Sequence, residues 1–232
     1  MDNTLTDDTM EIARVFTNHI YTRGPERSAQ VNFGVKQAKG EWVYKVDSDF
    51  VLDPLVVEQC VAKADEGFDA VVVHNYPDVR VRWIAKIRKF EVGMYKYDLT
   101  HSSARFVSKD VYEKIGGFDV NITAGEDYDF QNKLNRGGYK TGFIDAEALH
   151  LGEPKHFWPH MKKYYNYGKD FVHYKNRNKE ESKYQLGMLR IEYLTNWRSF
   201  VKKPWLSVSF IIYTICKYTA GTIGYQFSNK AY

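Results

Sequence analysis

The sequence predicts an α/β fold: a mixed, mostly parallel sheet flanked by helices, with a helical segment at the C-terminal end. Helical patterns alternate with short apolar runs through the first two thirds of the chain, the order expected of parallel strands joined by helices. One run, Asp69-Ala70-Val71-Val72-Val73-His74, is continuously apolar at its centre, as in a strand covered on both faces. From His156 onward the pattern is helical and aromatic with Lys and Arg interleaved, which divides the chain into residues 1–155 and 156–232.

Thr9 to Phe16 places Met10, Ile12, Ala13 and Phe16 at helical spacing behind a capping Asp7 or Asp8. A second helix is expected over Glu26 to Ala38, ending at Gly40. Trp42 to Val46 reads as a strand that runs straight into Asp47. Pro54 suits the first turn of a helix reaching Gly67. After the apolar strand come a helix from Trp83 to about Leu99, a strand at Arg105 to Val107, a helix from Ser108 and a turn at Gly116-Gly117. A helix near Glu126 and a strand at Tyr139 to Ile144 complete the first part, with no internal repeat or low-complexity linker.

Composition narrows the function classes. A chain of 232 residues can bury roughly 70% of its unfolded surface without disulfides. Its two cysteines, Cys60 and Cys216, have no metal or redox spacing, which fits a reducing, cytoplasmic setting. The N-terminal residues are polar and acidic, so no signal peptide is expected. With 33 basic and 29 acidic residues the charge is too balanced for a nucleic-acid binder, yet suits phosphate-bearing ligands and anionic membrane surfaces.

Two clusters could carry chemistry. Asp47-Ser48-Asp49 follows an apolar strand, at the carboxyl edge where open α/β sheets bind ligands. Two carboxylates there can hold a hard divalent cation such as Mn²⁺ or Mg²⁺, which would offset the charge of a diphosphate. Gly116-Gly117-Phe118-Asp119 leads to Gly125-Glu126-Asp127-Tyr128-Asp129. Acids at a helix start are favoured by the helix dipole alone. Displacement at a sugar's anomeric carbon, however, requires a carboxylate to take the acceptor's proton, a role open to Asp127 or Glu126. A hydrolase using two carboxylates roughly 5–10 Å apart, Asp49 and Asp127, is the competing chemistry, although the Asp-x-Asp spacing suits a metal better.

Together these blocks resemble the family 2 glycosyltransferases over residues 2 to about 150. Asp2-Asn3-Thr4-Leu5-Thr6-Asp7-Asp8-Thr9 is similar to the family segment whose leading Asp contacts the nucleotide base, and Glu26 to Gly34 to its helix before the metal site. Val31 stands where that helix often carries an Arg, leaving Arg27 as the donor contact. The resemblance implies a GT-A-like fold and inversion at the anomeric carbon. It implies a nucleotide-sugar donor bound by Asp2, Arg27, Asp47 and Asp49, and a metal on Asp49 and Asp47. It makes Asp127 the base, with Glu126 beside it. His150, in Ala148-Leu149-His150, occupies a position where related enzymes can complete the metal site, and His101 and Arg105 lie where the pocket is shaped. The family's first strand precedes the position of Asp2, so either a longer chain, the C-terminal segment or a partner is expected to complete the sheet. A noncatalytic sugar- or nucleotide-binding remnant is the alternative function, against which the intact Glu126-Asp127 pair argues.

Lys202-Lys203-Pro204-Trp205 precedes an apolar run to Cys216, broken by Lys217 before Tyr218 to Tyr225. The unbroken run is shorter than the ~20 residues of a membrane span. A helix lying in the cytoplasmic membrane surface is therefore expected, with a glycan or lipid-linked acceptor.

Overall fold

The computed structural model of the chain describes residues 8–24, 26–80, 82–152 and 156–229. Asp2 and its block therefore lie outside the described residues, apart from Asp8 and Thr9.

Helix α1 (Thr9–Phe16) is followed by α2 (Arg27–Gln37), whose first backbone N–H groups, at Ser28 and Ala29, donate to the Glu26 carboxylate. Then come β1 (Trp42–Tyr44), β2 (Phe50–Leu52), α3 (Val56–Asp65), β3 (Ala70–Val72), β4 (Asn75–Pro77) and α4 (Trp83–Val92). The helix expected to reach Leu99 instead passes through a 3-10 turn at Gly93–Tyr95 and stops. Asp98 ends it by accepting from the N–H groups of Thr100 and His101, a local bond that competes with helix continuation. Then follow β5 (Phe106–Ser108), α5 (Lys109–Lys114), α6 (Glu126–Arg136), β6 (Thr141–Phe143) and β7 (Ala148–His150). The helical segment comprises α7 (Phe157–Arg177), α8 (Lys179–Gln185), α9 (Ile191–Thr195), α10 (Trp197–Lys202) and α11 (Pro204–Asn229).

The strands form two small mixed sheets, in the orders β1-β5-β3-β6 and β2-β7-β4. Among the described strands, β3–β6 and β4–β7 pair in parallel, whereas β1–β5, β3–β5 and β2–β7 are antiparallel. The antiparallel share exceeds what the alternating pattern suggested, because β5 inserts between β1 and β3 and runs against both. Three strands, β2, β4 and β7, were not expected from the sequence.

One core cluster lies between the larger sheet and α2, α5 and α6, around Val35, Val72, Val107, Phe130 and Leu134. A second joins α3 to the sheets through Val56, Cys60, Val71 and Ala148. The third gathers Ile87, Phe90 and Met94 of the α4 region with Met161 of α7 and Phe210 and Tyr213 of α11. Helix α11 lies tightly on α7: a Cβ at Gly168 would collide with the Gly221 carbonyl, and one at Gly224 with that of Tyr165. The glycines thus set the approach of the two backbones.

Candidate active site

The sheet edge brings the two sequence clusters together. Asp47 and Asp49 sit in the turn between β1 and β2, closed by a Phe50 N–H bond to the Asp47 carbonyl at 3.2 Å. The antiparallel register sets Phe50 opposite His150, so β7 delivers His150 to the Asp-x-Asp turn although 101 positions separate it from Asp49. Beside them, Lys45 donates its backbone N–H to the Arg105 carbonyl at 2.8 Å, which extends the β1–β5 pairing by one rung and places both side chains at the same edge.

Asp47 is held by two guanidinium groups: Arg27 Nη2 and Arg105 Nη1 each lie 2.8 Å from one of its oxygens. Burial pushes its carboxyl up, but Arg105 and Arg27 outweigh this and keep it below the usual carboxylate range. Arg105 also stacks over the Phe50 ring at 4.8 Å, and His150 stacks on the same residue at 4.9 Å. Asp49 Oδ2 lies 3.1 Å from His150 Nε2, and its side chain is 41% exposed. A Cβ at Gly152 would strike that carboxylate, so the missing side chain opens the space Asp49 occupies.

A divalent cation is implied by the resemblance, and these donors fit one. Adjacent ligands at ~2.1 Å from an octahedral ion are roughly 3 Å apart. The Asp49–His150 separation of 3.1 Å matches that, and a carboxylate oxygen with an imidazole nitrogen suits Mn²⁺ or Mg²⁺ chemistry. The three sequence-predicted ligands do not converge: Asp47 faces the arginines, leaving Asp49 and His150 as the pair. The described residues hold another acid–histidine group, Asp98, His101 and Glu192, in which His101 Nδ1 bonds Asp98 Oδ2 at 2.6 Å.

Opposite the turn, α6 starts at Gly125, whose φ of 85° is left-handed. A Cβ there would lie 2.9 Å from the Tyr174 ring, so glycine is required on two counts. The Gly116-Gly117-Phe118 turn is pinned by Asn32 of α2, which donates to the Phe118 carbonyl at 2.8 Å and accepts its N–H at 2.9 Å. Asp127 Oδ1 accepts from Lys45 Nζ at 2.6 Å, while Oδ2 bonds nothing among the described residues and the side chain is 39% exposed. Burial raises the Asp127 carboxyl, but Lys45, Arg105 and Arg27 together hold it well below the usual range. Glu126 is the reverse: 16% exposed, it contacts Arg27 at 3.4 Å, and burial followed by the neighbouring Asp127 pushes it up. Asp129 is 1% exposed and tied to Lys133 and Asn178, a structural acid that locks α6 to the C-terminal helices.

Arg27, Lys45 and Arg105 therefore face Asp47, Glu126 and Asp127 in a charge-balanced ring. Arg27, Arg105, Glu126 and Asp127 line a cavity of about 680 Å³ that continues between α4, α7 and α11. Of the predicted residues, Arg27, Asp47, Glu126 and Asp127 are joined in the ring, Asp49 and His150 form the adjoining pair, and His101 lines the cavity. Lys45 and Phe50 were missed. For Lys45, the available signal was a lone charge inside an otherwise apolar strand.

The profile of glycosyl transferase family 2 matches residues 1–118. The S. aureus TarS 1-349 structure is 13% identical, with a TM-score of 0.48, covering 98% of this chain and 80% of that one. A second S. aureus TarS structure is 15% identical with a TM-score of 0.46, covering 98% of this chain and 48% of that one, so the chain spans about half its length. No curated protein sequence matches. With half of its length matched by the family profile, this chain belongs to glycosyl transferase family 2.

Proposed function

We propose that the chain transfers a hexosyl group from a nucleotide-sugar to a hydroxyl of a glycan or lipid-linked acceptor, with inversion and with the help of a divalent metal. The observation that carries this is Asp127: one carboxylate oxygen is fixed by Lys45, the other accepts no hydrogen bond among the described residues, and the residue lines the cavity together with Arg105. Asp49 and His150 would hold the cation, which when bound neutralises diphosphate charge and eases departure of the nucleotide. Arg27 and Arg105 are the cations placed to meet phosphate oxygens. Lys45 keeps Asp127 ionised and turned toward the acceptor, so that Oδ2 takes the attacking hydroxyl's proton. Residues 1–155 form the catalytic part in this reading, and residues 156–232 the helical part that closes the acceptor side.

A panel of nucleotide-sugars incubated with Mn²⁺ or Mg²⁺ tests the reading. One donor is expected to release nucleoside diphosphate faster with acceptor present, and chelation to abolish the release. Tight nucleotide binding with no release from any donor would instead favour a sugar- or nucleotide-binding protein without transfer activity.

The second element of the proposal is docking at the cytoplasmic face of a membrane. Helix α11 is long and apolar enough to cross one, the most apolar 18 residues of Pro204–Ser228 having a mean hydropathy of 1.2. Its packing supports a surface position instead. Lys217 is buried against Glu91, whereas Trp205, Val208, Ile211, Ile212 and Ile215 are exposed along one side. Trp197 and Val201 of α10 add to the exposed apolar area, and Arg198, Lys202 and Lys203 are exposed nearby. Tryptophans and basic residues around an apolar face suit an anionic interface. The protein is expected to float with vesicles containing anionic lipid and to lose most of that binding in a Trp205→Ser/Ile212→Ser variant. Equal flotation of the two proteins would remove the docking role.

A further inference from the structure

Beyond Asp127 the cavity ends in an unusual group. The next residue, Tyr128, brings its phenol to the Arg190 guanidinium. Arg190 donates from Nε to the Gly187 carbonyl at 3.3 Å, and from Nη2 to the Gln185 carbonyl and the Tyr218 hydroxyl, each at 3.1 Å. It also lies 5.0 Å from the centre of the Tyr95 ring. Among the described residues no carboxylate forms an ion pair with it. The nearby acid, Glu91, is engaged by Lys217 and by Arg88. Lys163 and Lys175 of α7 line the same cavity and lie over the rings of Tyr167 and Tyr225.

A guanidinium drawn into a phenol-lined pocket with no carboxylate in contact, Glu91 acting on it only from a distance, is favoured when an anion joins it. The guanidinium fork matches a planar or tetrahedral oxyanion, and phenol hydroxyls can add donors. The position decides whose anion it is: the pocket adjoins Tyr128, on the side of the base, whereas the donor-side cations Arg27 and Arg105 are paired with Asp47.

We infer that Arg190 and Tyr128 form a subsite for an anionic group, phosphoryl or carboxyl, carried by the acceptor. This rests on the reading of Asp127 as the base: the anion anchors the acceptor while its hydroxyl meets Oδ2.

The test is calorimetry on the full chain saturated with nucleoside diphosphate and Mn²⁺, titrating methyl phosphate in one arm and acetate in the other. At least one probe is expected to bind, the stronger arm naming the group. Arg190→Gln should weaken that binding about 10-fold or more with nucleotide affinity unchanged, in a variant that thermal unfolding shows to be folded at the assay temperature although less stable than wild type. Arg190→Lys, which keeps the charge without the fork, should fall between. The titrations are repeated without nucleotide, so that failure of nucleotide to bind counts against the donor reading while the anion result still decides this one. Equal anion affinity in wild type and Arg190→Gln, or no anion binding at all, overturns the subsite. Weaker nucleotide binding in Arg190→Gln would place the residue on the donor diphosphate and overturn it too.

Discussion

Asp127→Asn is expected to lower sugar transfer by roughly 10²–10⁴-fold while leaving nucleotide affinity and folding nearly intact. The amide keeps the size of the side chain, and its Oδ1 can still accept a hydrogen bond from the Lys45 ammonium. What disappears is the proton acceptor at Oδ2. Glu126→Gln is the control, since its carboxyl is pushed up and by acidity alone would be the stronger base. Its poorer exposure and its contact with Arg27 argue for a smaller effect. The pH profile separates the two acids. Asp127 stays ionised well below the ordinary aspartate value of about 3.9, so it sets no acid limb near neutrality. Lys45→Met removes a cation that holds it down and should move the acid limb upward. Near-normal transfer in both Asp127→Asn and Glu126→Gln would sink the base assignment for this block.

Glu91→Ala is expected to destabilise the chain by about 3–5 kcal/mol, because it strands Lys217 of α11 and weakens the hold on Arg88 inside the α4–α7–α11 core. Burial pushes the Glu91 carboxyl up, yet Lys217 and Arg88 outweigh it and bring it down to about 2 from an ordinary 4.5. A depressed carboxylate contributes stability that is fully present above the unfolded value. That contribution, roughly 3 kcal/mol, should be lost as pH falls from 4.5 toward about 2. Burial also lowers the Lys217 ammonium, which offsets part of the gain. The double variant Glu91→Leu/Lys217→Met, with no charge left stranded in the pair, should recover much of the loss. Urea unfolding at pH 7 and pH 3 checks both points. A midpoint unchanged in Glu91→Ala, or an equal decline of wild type and variant on acidification, would mean the pair is not what holds α11.

Much of the site was legible in the residues themselves. An apolar strand ending at Asp47-Ser48-Asp49 and a glycine-led acidic helix start are local patterns with local physical causes, and the periods that place α1, α2, α3 and α6 survive folding. Sequence alone thus determined the mixed α/β class, the helical C-terminal part and the candidate acids. Tertiary structure decided how those acids are used. Asp47 turns to Arg27 and Arg105 across gaps of 20 and 58 positions, and Lys45 meets Asp127 across 82. His150 reaches Asp49 only through the β2–β7 register. The hold of Lys217 in α11 on Glu91, 126 positions away, is likewise made only on folding. Charge pairing and pKa depend on distances of a few ångströms, and those distances are set by strand order and helix packing, which no window of sequence contains.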